Sequence, residues 1–205
     1  MLDPNQKAVV IGISGCSSSG KTTLARLLRD IFPNTFILHE DDFYKPESEI
    51  PMKDDLRNWD CPEALSIPDM TAALEHIRAT GELPRQQNKK GLPTLDSKED
   101  LNSVGPCPLT TDFINTIKSR VADWLQPSSP GHRILNLSST SQQPLKICIL
   151  DGFLLYSPPP LLPATLLSQM DIKLFLLVSK ARALQRREAR DGYVTLEGFW
   201  KDPPG

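Results

Sequence analysis

A chain of 205 residues is long enough to bury a sizeable core in one α/β domain with a small lid or insertion. A formal net charge of −2 and a pI near 5.9 give no basic footprint, so nucleic acid is not the expected partner. No apolar run approaches the ~20 residues that span a membrane, and Cys16, Cys61, Cys107 and Cys148 lack metal-ligand spacing, so they read as free thiols of a reducing compartment.

The polar start, Met1 to Gln6, runs into an apolar segment without a signal-peptide pattern. A soluble, cytoplasmic protein is expected, with the nucleus left open as a second compartment. The segment Ala8 to Ile13 reads as a buried strand, and Leu24, Leu27, Leu28 and Ile31 mark one face of the helix that follows. Between them stands Gly15-Cys16-Ser17-Ser18-Ser19-Gly20-Lys21-Thr22, which fits G-x-x-x-x-G-K-[ST] in its strand–loop–helix setting. A Gly/Ser-rich turn before an ordinary helix is the bland reading, and both flanks argue against it. Thr35 to Leu38 is a second strand that delivers His39-Glu40-Asp41-Asp42-Phe43-Tyr44 at its carboxyl end, where ligands of open α/β sheets bind.

Ser66-Ile67-Pro68-Asp69 has the form of a capping box with proline in the first turn. Met70, Ala73, Leu74 and Ile77 continue that helix, and Gly81 marks its stop. A further helix is expected over Thr111 to Leu125, carried by Phe113, Ile114, Ile117, Val121 and Trp124. Gln126 to Pro144, rich in Ser, Pro and Gln, reads as a flexible excursion. Lys146 to Leu150 is a buried strand that ends on Asp151-Gly152, a Walker-B-like position. Pro158 to Pro160 force a turn, and Ile172 to Val178 is apolar throughout, as suits the middle of a parallel sheet. A helix from Lys180 carries Arg182, Arg186 and Arg190 on one face, with Arg187 beside them; it reads as a closing lid over 180–200.

These parts suit phosphoryl transfer, which asks for positioning and charge neutralisation more than for covalent chemistry. The glycines let backbone N–H groups from Gly15 to Lys21 curl into an anion nest at a helix N-terminus. Lys21 supplies a mobile charge for the β- and γ-phosphates, and Thr22 a hydroxyl for magnesium, together with Asp41 or Asp151. Asp41 or Asp42 would deprotonate or orient the acceptor, and the arginine helix would surround the γ-phosphate. Cys16 is a tolerated small residue, because such a loop works through its backbone. His39, His76 and His132 are scattered and receive no role.

The stretches Gly12 to Thr23, Asp41 to Ile50, Asn58 to Leu65, Asp151 to Tyr156 and Arg186 to Tyr193 resemble the nicotinamide riboside kinase family, in a fungal-type form. That family lies in the uridine-kinase-like branch of P-loop kinases, and the likeness covers most of 7–80 and 145–204. It implies a single three-layer α/β P-loop domain, mainly parallel, over 1–205, with 82–144 as an insertion. It also implies transfer from ATP, with GTP left open, to the ribose 5′-hydroxyl of nicotinamide riboside, and of nicotinic acid riboside, with Mg²⁺, on the route to NAD. No nucleic-acid or membrane partner is implied.

Carried over by position, residues Gly15, Cys16, Ser17, Ser18, Ser19, Gly20, Lys21, Thr22 and Thr23 would hold ATP phosphates, and Asp41 would be the catalytic carboxylate near the metal. Asp42, Phe43 and Tyr44 fall on the acceptor side. Trp59 and Asp60 match a Tyr-Asp pair that stacks on the base and holds ribose hydroxyls. Arg186 and Arg190 match lid arginines at ATP, Arg187 a substrate-side arginine, and Tyr193 a second aromatic over the base. A cationic pyridinium would gain ~0.5–2 kcal/mol from such electron-rich faces, more than a neutral uracil would.

Four features depart from the family pattern. Trp59 keeps an aromatic platform but drops the tyrosine hydroxyl. Asp151 replaces the glutamate of animal members and, one methylene shorter, is expected to reach magnesium through a water. The stretch 82–144 is longer than in short members. The sequence ends at Gly205, where family members continue with another strand and helix, so a truncated member is expected. Uridine or cytidine kinase activity is the alternative within kinases. A guanine-reading switch lacks support, because Asn88-Lys89-Lys90-Gly91 has no aspartate at the required place, and a non-catalytic nucleotide-binding protein is the alternative outside enzymes.

Overall fold

A computed structural model describes residues 5–84, 107, 109–135, 143–157 and 162–189. Its central sheet has four parallel strands: β1 (Ala8–Gly15), β2 (Thr35–His39), β5 (Lys146–Asp151) and β6 (Ile172–Leu176), in the order β2-β5-β1-β6. The side-chain period of two splits the sheet's residues between two apolar layers. Ala8 and Val10 of β1, with Leu38 and Leu150, pack into one cluster with Met70, Leu74, Ile77 and Leu166. Val9 and Ile13, with Ile37, Ile147 and Ile149, pack into the other with Ala25, Leu135 and Leu145. The result is a three-layer α/β domain of the P-loop kinase kind.

The register decides where the site can form. Ile13 of β1 and His39 of β2 both pair with Asp151 of β5. The loops after β1, β2 and β5 therefore leave the sheet along one edge, beyond the carboxyl ends of the strands.

Helix α1 (Lys21–Ile31) lies against the second layer through buried Ala25, with Leu24 and Leu28 partly covered. Helix α2 (Ile67–Thr80) buries Met70, Ala73, Leu74 and Ile77, as the sequence spacing predicts, and leaves the helical path at Gly81. Its start differs from the expected capping box: Ser66 Oγ donates to the Asp69 carboxylate at 2.6 Å instead of accepting a backbone N–H.

Helix α3 (Thr111–Trp124) is capped by Thr110, whose Oγ1 accepts the Phe113 N–H at 3.3 Å. None of its residues is fully buried, and its main anchor is Trp124, edge-on to Phe32 with ring centroids 6.2 Å apart. The stretch expected to be a flexible excursion contains a fourth helix, α4 (Pro130–Ile134). Ser129 caps it by accepting the His132 N–H, Pro130 fills its first turn, and Leu135 beyond it is buried and accepts the Leu145 N–H at 3.0 Å. Ser-Pro composition, read as a linker, is here a helix start.

Two further differences concern strands. A small antiparallel hairpin, β3 (Met52–Lys53) with β4 (Leu56–Arg57), escaped sequence reading because each strand has two residues. Both residues of its turn, Asp54 and Asp55, have positive φ, the pattern of a type I′ turn. Strand β6, expected in mid-sheet and out to Val178, pairs only with β1 among the described residues and ends at Leu176. Its face is open, with Phe175 57% exposed. An all-apolar run specifies a strand but does not say whether it is central or at an edge.

Helices α5 (Ala164–Ser168) and α6 (Lys180–Glu188) complete the described elements. Of the expected insertion, residues 85–106, 108 and 136–142 lie outside the described residues, as do Pro158 to Pro160 and the expected lid residues beyond Ala189, with Arg190 and Tyr193. No helix among the described residues is long and apolar enough to cross a membrane.

Candidate active site

The loop between β1 and α1 is built to leave amides unpaired. Gly20 occupies the N-cap of α1 with φ 101°, a left-handed conformation that L side chains rarely adopt, and no side chain caps the first turn. Ser18 is also left-handed, at φ 63°. The Ser19 N–H closes the turn on the Cys16 carbonyl at 3.1 Å, and Lys21 Nζ donates to the same carbonyl at 3.1 Å. An uncapped helix N-terminus with a lysine folded over it is an anion site. The hydroxyls of Ser18 and Ser19 are buried with no hydrogen-bond partner among the described residues.

This loop forms one side of a cavity of about 700 Å³. Ser17 to Leu24 and Leu27 line it from the loop and α1, His39, Asp41 and Tyr44 from the end of β2, and Asp151, Gly152 and Phe153 from the end of β5. Asp60, Leu109, Arg186 and Arg187 close the remaining sides.

Thr22 and Asp151 meet directly, with Thr22 Oγ1 donating to Asp151 Oδ2 at 2.6 Å. Asp151 is 5% exposed, and its second oxygen, Oδ1, is buried with no partner among the described residues. An orphaned carboxylate oxygen beside a threonine hydroxyl suits a small hard cation. No group of three or more His, Cys, Asp or Glu among the described residues forms a metal cage. Mg²⁺ does not need one, because it is held by one or two carboxylates together with substrate phosphates and water. Thr22, Asp151 and, from across the cavity, Asp41 are the residues that could hold it.

The acceptor-side residues separate into two groups. Asp41, Tyr44 and Asp60 face the cavity. The Tyr44 hydroxyl donates to the Trp59 carbonyl at 3.2 Å, and the two rings meet edge to face with centroids 5.2 Å apart. Burial, with Asp41 and Asp60 nearby, pushes the Tyr44 phenol up, so it is a neutral donor. Asp42, Phe43 and Trp59 are not in the cavity wall, although Trp59 adjoins it through Tyr44. Phe43 is 5% exposed and belongs to the core layer with Leu38 and Met70, so its side chain serves packing and not the acceptor site. The residue after Asp41-Asp42 points inward because the short 3₁₀ turn Glu40–Phe43 rotates it toward the sheet.

Helix α6 reaches the phosphate loop. Arg186 Nη1 donates to the carbonyls of Ser18 and Ser19, each at 3.4 Å. Arg187 lines the same cavity.

Two residues at the end of β2 were not singled out from the sequence. His39 Nδ1 lies 3.5 Å from Asp151 Oδ2; burial lowers its pKa, but the carboxylates of Asp151, Asp42 and Asp41 together more than offset this and leave it raised. Glu40 is 1% exposed, and burial pushes its carboxyl up to about 7 although two backbone amides donate to it. The signal that could have found His39 is the parallel register that sets it beside Asp151. Nothing local in an acidic run marks Glu40 as buried. Leu24, Leu27 and Leu109 add an apolar wall that spacing alone did not assign to the site.

No family model matches the chain. It is 38% identical over 199 residues to the nicotinamide riboside kinase of Schizosaccharomyces pombe, covering 97% of this chain and 74% of that protein. It is 31% identical over 202 residues to the nicotinamide riboside kinase of Saccharomyces cerevisiae, covering 98% and 72%. Human nicotinamide riboside kinase 1 is 28% identical over 155 residues, which cover 76% of this chain and 54% of that protein.

Proposed function

We propose that this chain, which belongs to the nicotinamide riboside kinase family, transfers the γ-phosphoryl group of ATP to the 5′-hydroxyl of nicotinamide riboside and makes the mononucleotide for NAD synthesis. The observation that carries the site assignment is the single cavity that joins the phosphate loop to Asp41, Tyr44 and Asp60. A shared cavity supports a reading in which donor and acceptor bind side by side.

In this reading the loop from Gly15 to Thr23 and Lys21 bind the β- and γ-phosphates, and Arg186 follows them as the lid closes. The Asp41 carboxylate accepts the proton of the 5′-hydroxyl as the O5′–P bond forms and the bond to the β-phosphate oxygen breaks; ADP leaves. Thr22 and Asp151 would hold Mg²⁺, which when bound neutralises charge on the β- and γ-oxygens. Tyr44 braces Trp59, which offers its ring to the pyridinium, while Asp60 takes ribose hydroxyls. Arg187 lies on the acceptor side. Arg190 and Tyr193, outside the described residues, keep the roles the family pattern implies. Nicotinic acid riboside is a second acceptor, and GTP stays open beside ATP as donor.

The test is a substrate panel on the purified chain with Mg-ATP and Mg-GTP. Nicotinamide riboside, nicotinic acid riboside and uridine are offered in parallel and the products separated by chromatography. Conversion of the pyridine ribosides, abolished by Lys21→Ala and by Asp41→Ala, supports the reading. A preference for uridine by an order of magnitude overturns the acceptor assignment.

A further inference from the structure

Two walls of the cavity meet at a buried side chain to which the transfer step above gives no task. Glu40 follows β2 and precedes Asp41. Its Oε2 accepts the N–H of Phe153 at 2.6 Å and of Leu154 at 3.3 Å, and its Oε1 lies 3.3 Å from the same Leu154 nitrogen. These amides stand just past the end of β5, where the ladder stops: the last pair between β2 and β5 is His39 with Asp151. The approach is so close that a Cβ on Gly152 would meet Glu40 Cβ, Cδ and Oε2 at 2.7 Å each. Asp41 on one side of Glu40, and Asp151, Gly152 and Phe153 on the other, all line the cavity.

Burying a carboxylate is costly, and an apolar side chain of similar volume would often serve stability as well. An apolar side chain cannot, however, accept two amide protons and so hold one turn at a set angle to another. We propose that Glu40 is a positioning residue that fixes the spacing of Asp41 against Asp151 across the seam between β2 and β5. The acceptor carboxylate and the metal-side carboxylate then face the phosphate loop together. This inference rests on the kinase reading for its effect on turnover, and on the fold alone for the geometry.

Three variants test it: Glu40→Ala, Glu40→Gln and Gly152→Ala. The measurements are kcat, KM for the riboside, and ADP affinity with and without magnesium. Glu40→Ala is expected to lower kcat about 10²-fold, the scale of a misplacement near 1 Å. KM and magnesium-free ADP binding stay as in the wild type, while the gain in ADP affinity on adding magnesium is lost. Glu40→Gln keeps an oxygen to accept the Phe153 N–H and recovers most of both losses. Gly152→Ala, which intrudes on the same contact from the other side, reproduces them.

Wild-type kcat in Glu40→Ala overturns the proposal. So does a loss of magnesium-free ADP binding in parallel with kcat, which marks a general structural role, and so does a Glu40→Gln variant as impaired as Glu40→Ala. If Glu40→Ala does not fold, Gly152→Ala decides: wild-type turnover and an intact magnesium effect there reject the positioning role. If the wild type phosphorylates no riboside, the kinase reading fails, and the magnesium dependence of ADP binding in the same variants still decides the role of Glu40.

Discussion

Thr22 and Asp151 stand 129 positions apart in the chain and share a hydrogen bond of 2.6 Å. One lies in the first turn of the helix after the phosphate loop and the other closes strand β5. Their contact brings the phosphate loop's helix to the carboxylate that would hold the metal, and leaves Asp151 Oδ1 buried with no partner among the described residues.

Asp151→Asn removes the charge while keeping the Thr22 contact available. Turnover is expected to fall by about 10²- to 10³-fold, the scale of losing one preorganised electrostatic group. The magnesium concentration for half-maximal rate should rise, because the replacement amide binds a hard cation poorly. A magnesium titration of the initial rate checks this, and an unchanged titration curve would remove Asp151 from the metal site.

Arg186 donates to the loop carbonyls of Ser18 and Ser19 at 3.4 Å, a weak pair of contacts. A γ-phosphate is a far better partner for a guanidinium fork. Arg186→Ala is expected to lower kcat by about 10³-fold, the low end for arginines that face a transferring phosphoryl group. Arg186→Lys should recover little, because an ammonium lacks the planar fork. Steady-state rates with ATP as the varied substrate check both.

The cysteines report on the loop without any turnover. Cys16 is exposed at its base, whereas Cys148 is fully buried in β5, where burial pushes the thiol up. Alkylation followed by mass spectrometry should label Cys16 early and Cys148 only on unfolding. ADP is expected to slow labelling of Cys16. Equal labelling with and without ADP would place nucleotide elsewhere.

Glu40 makes stability depend on pH in a stated direction. Its carboxyl is raised from 4.5 to about 7 in the fold by burial. The protonated form is therefore favoured on folding; that contribution is fully present below 4.5 and is lost as pH rises through about 7. Melting temperatures of the nucleotide-free protein between pH 4.5 and 8 should show Glu40→Gln gaining on the wild type as pH rises. A constant difference would mean that Glu40 titrates normally.

The phosphate loop was legible because its geometry is local. Gly15, Gly20, Lys21 and Thr22 lie on one short stretch of chain, so strand–loop–helix spacing is sufficient to recognise the motif. Helix α2 was legible for a similar reason: Met70, Ala73, Leu74 and Ile77 repeat along one buried face. Phe43 was not legible as core, since it sits in a run of functional-looking residues and only the turn Glu40–Phe43 aims it inward.

By itself, then, the sequence determined the P-loop α/β class, the family, and the segments from which the proposed donor and acceptor groups are drawn. The tertiary structure decided which members of those segments share a cavity. Parallel pairing of β2 with β5 sets His39 beside Asp151, and burial selects Glu40 rather than Asp41 or Asp42 to bind the Phe153 and Leu154 amides. Such choices depend on strand register and desolvation between residues more than a hundred positions apart, and neither leaves a mark on local spacing.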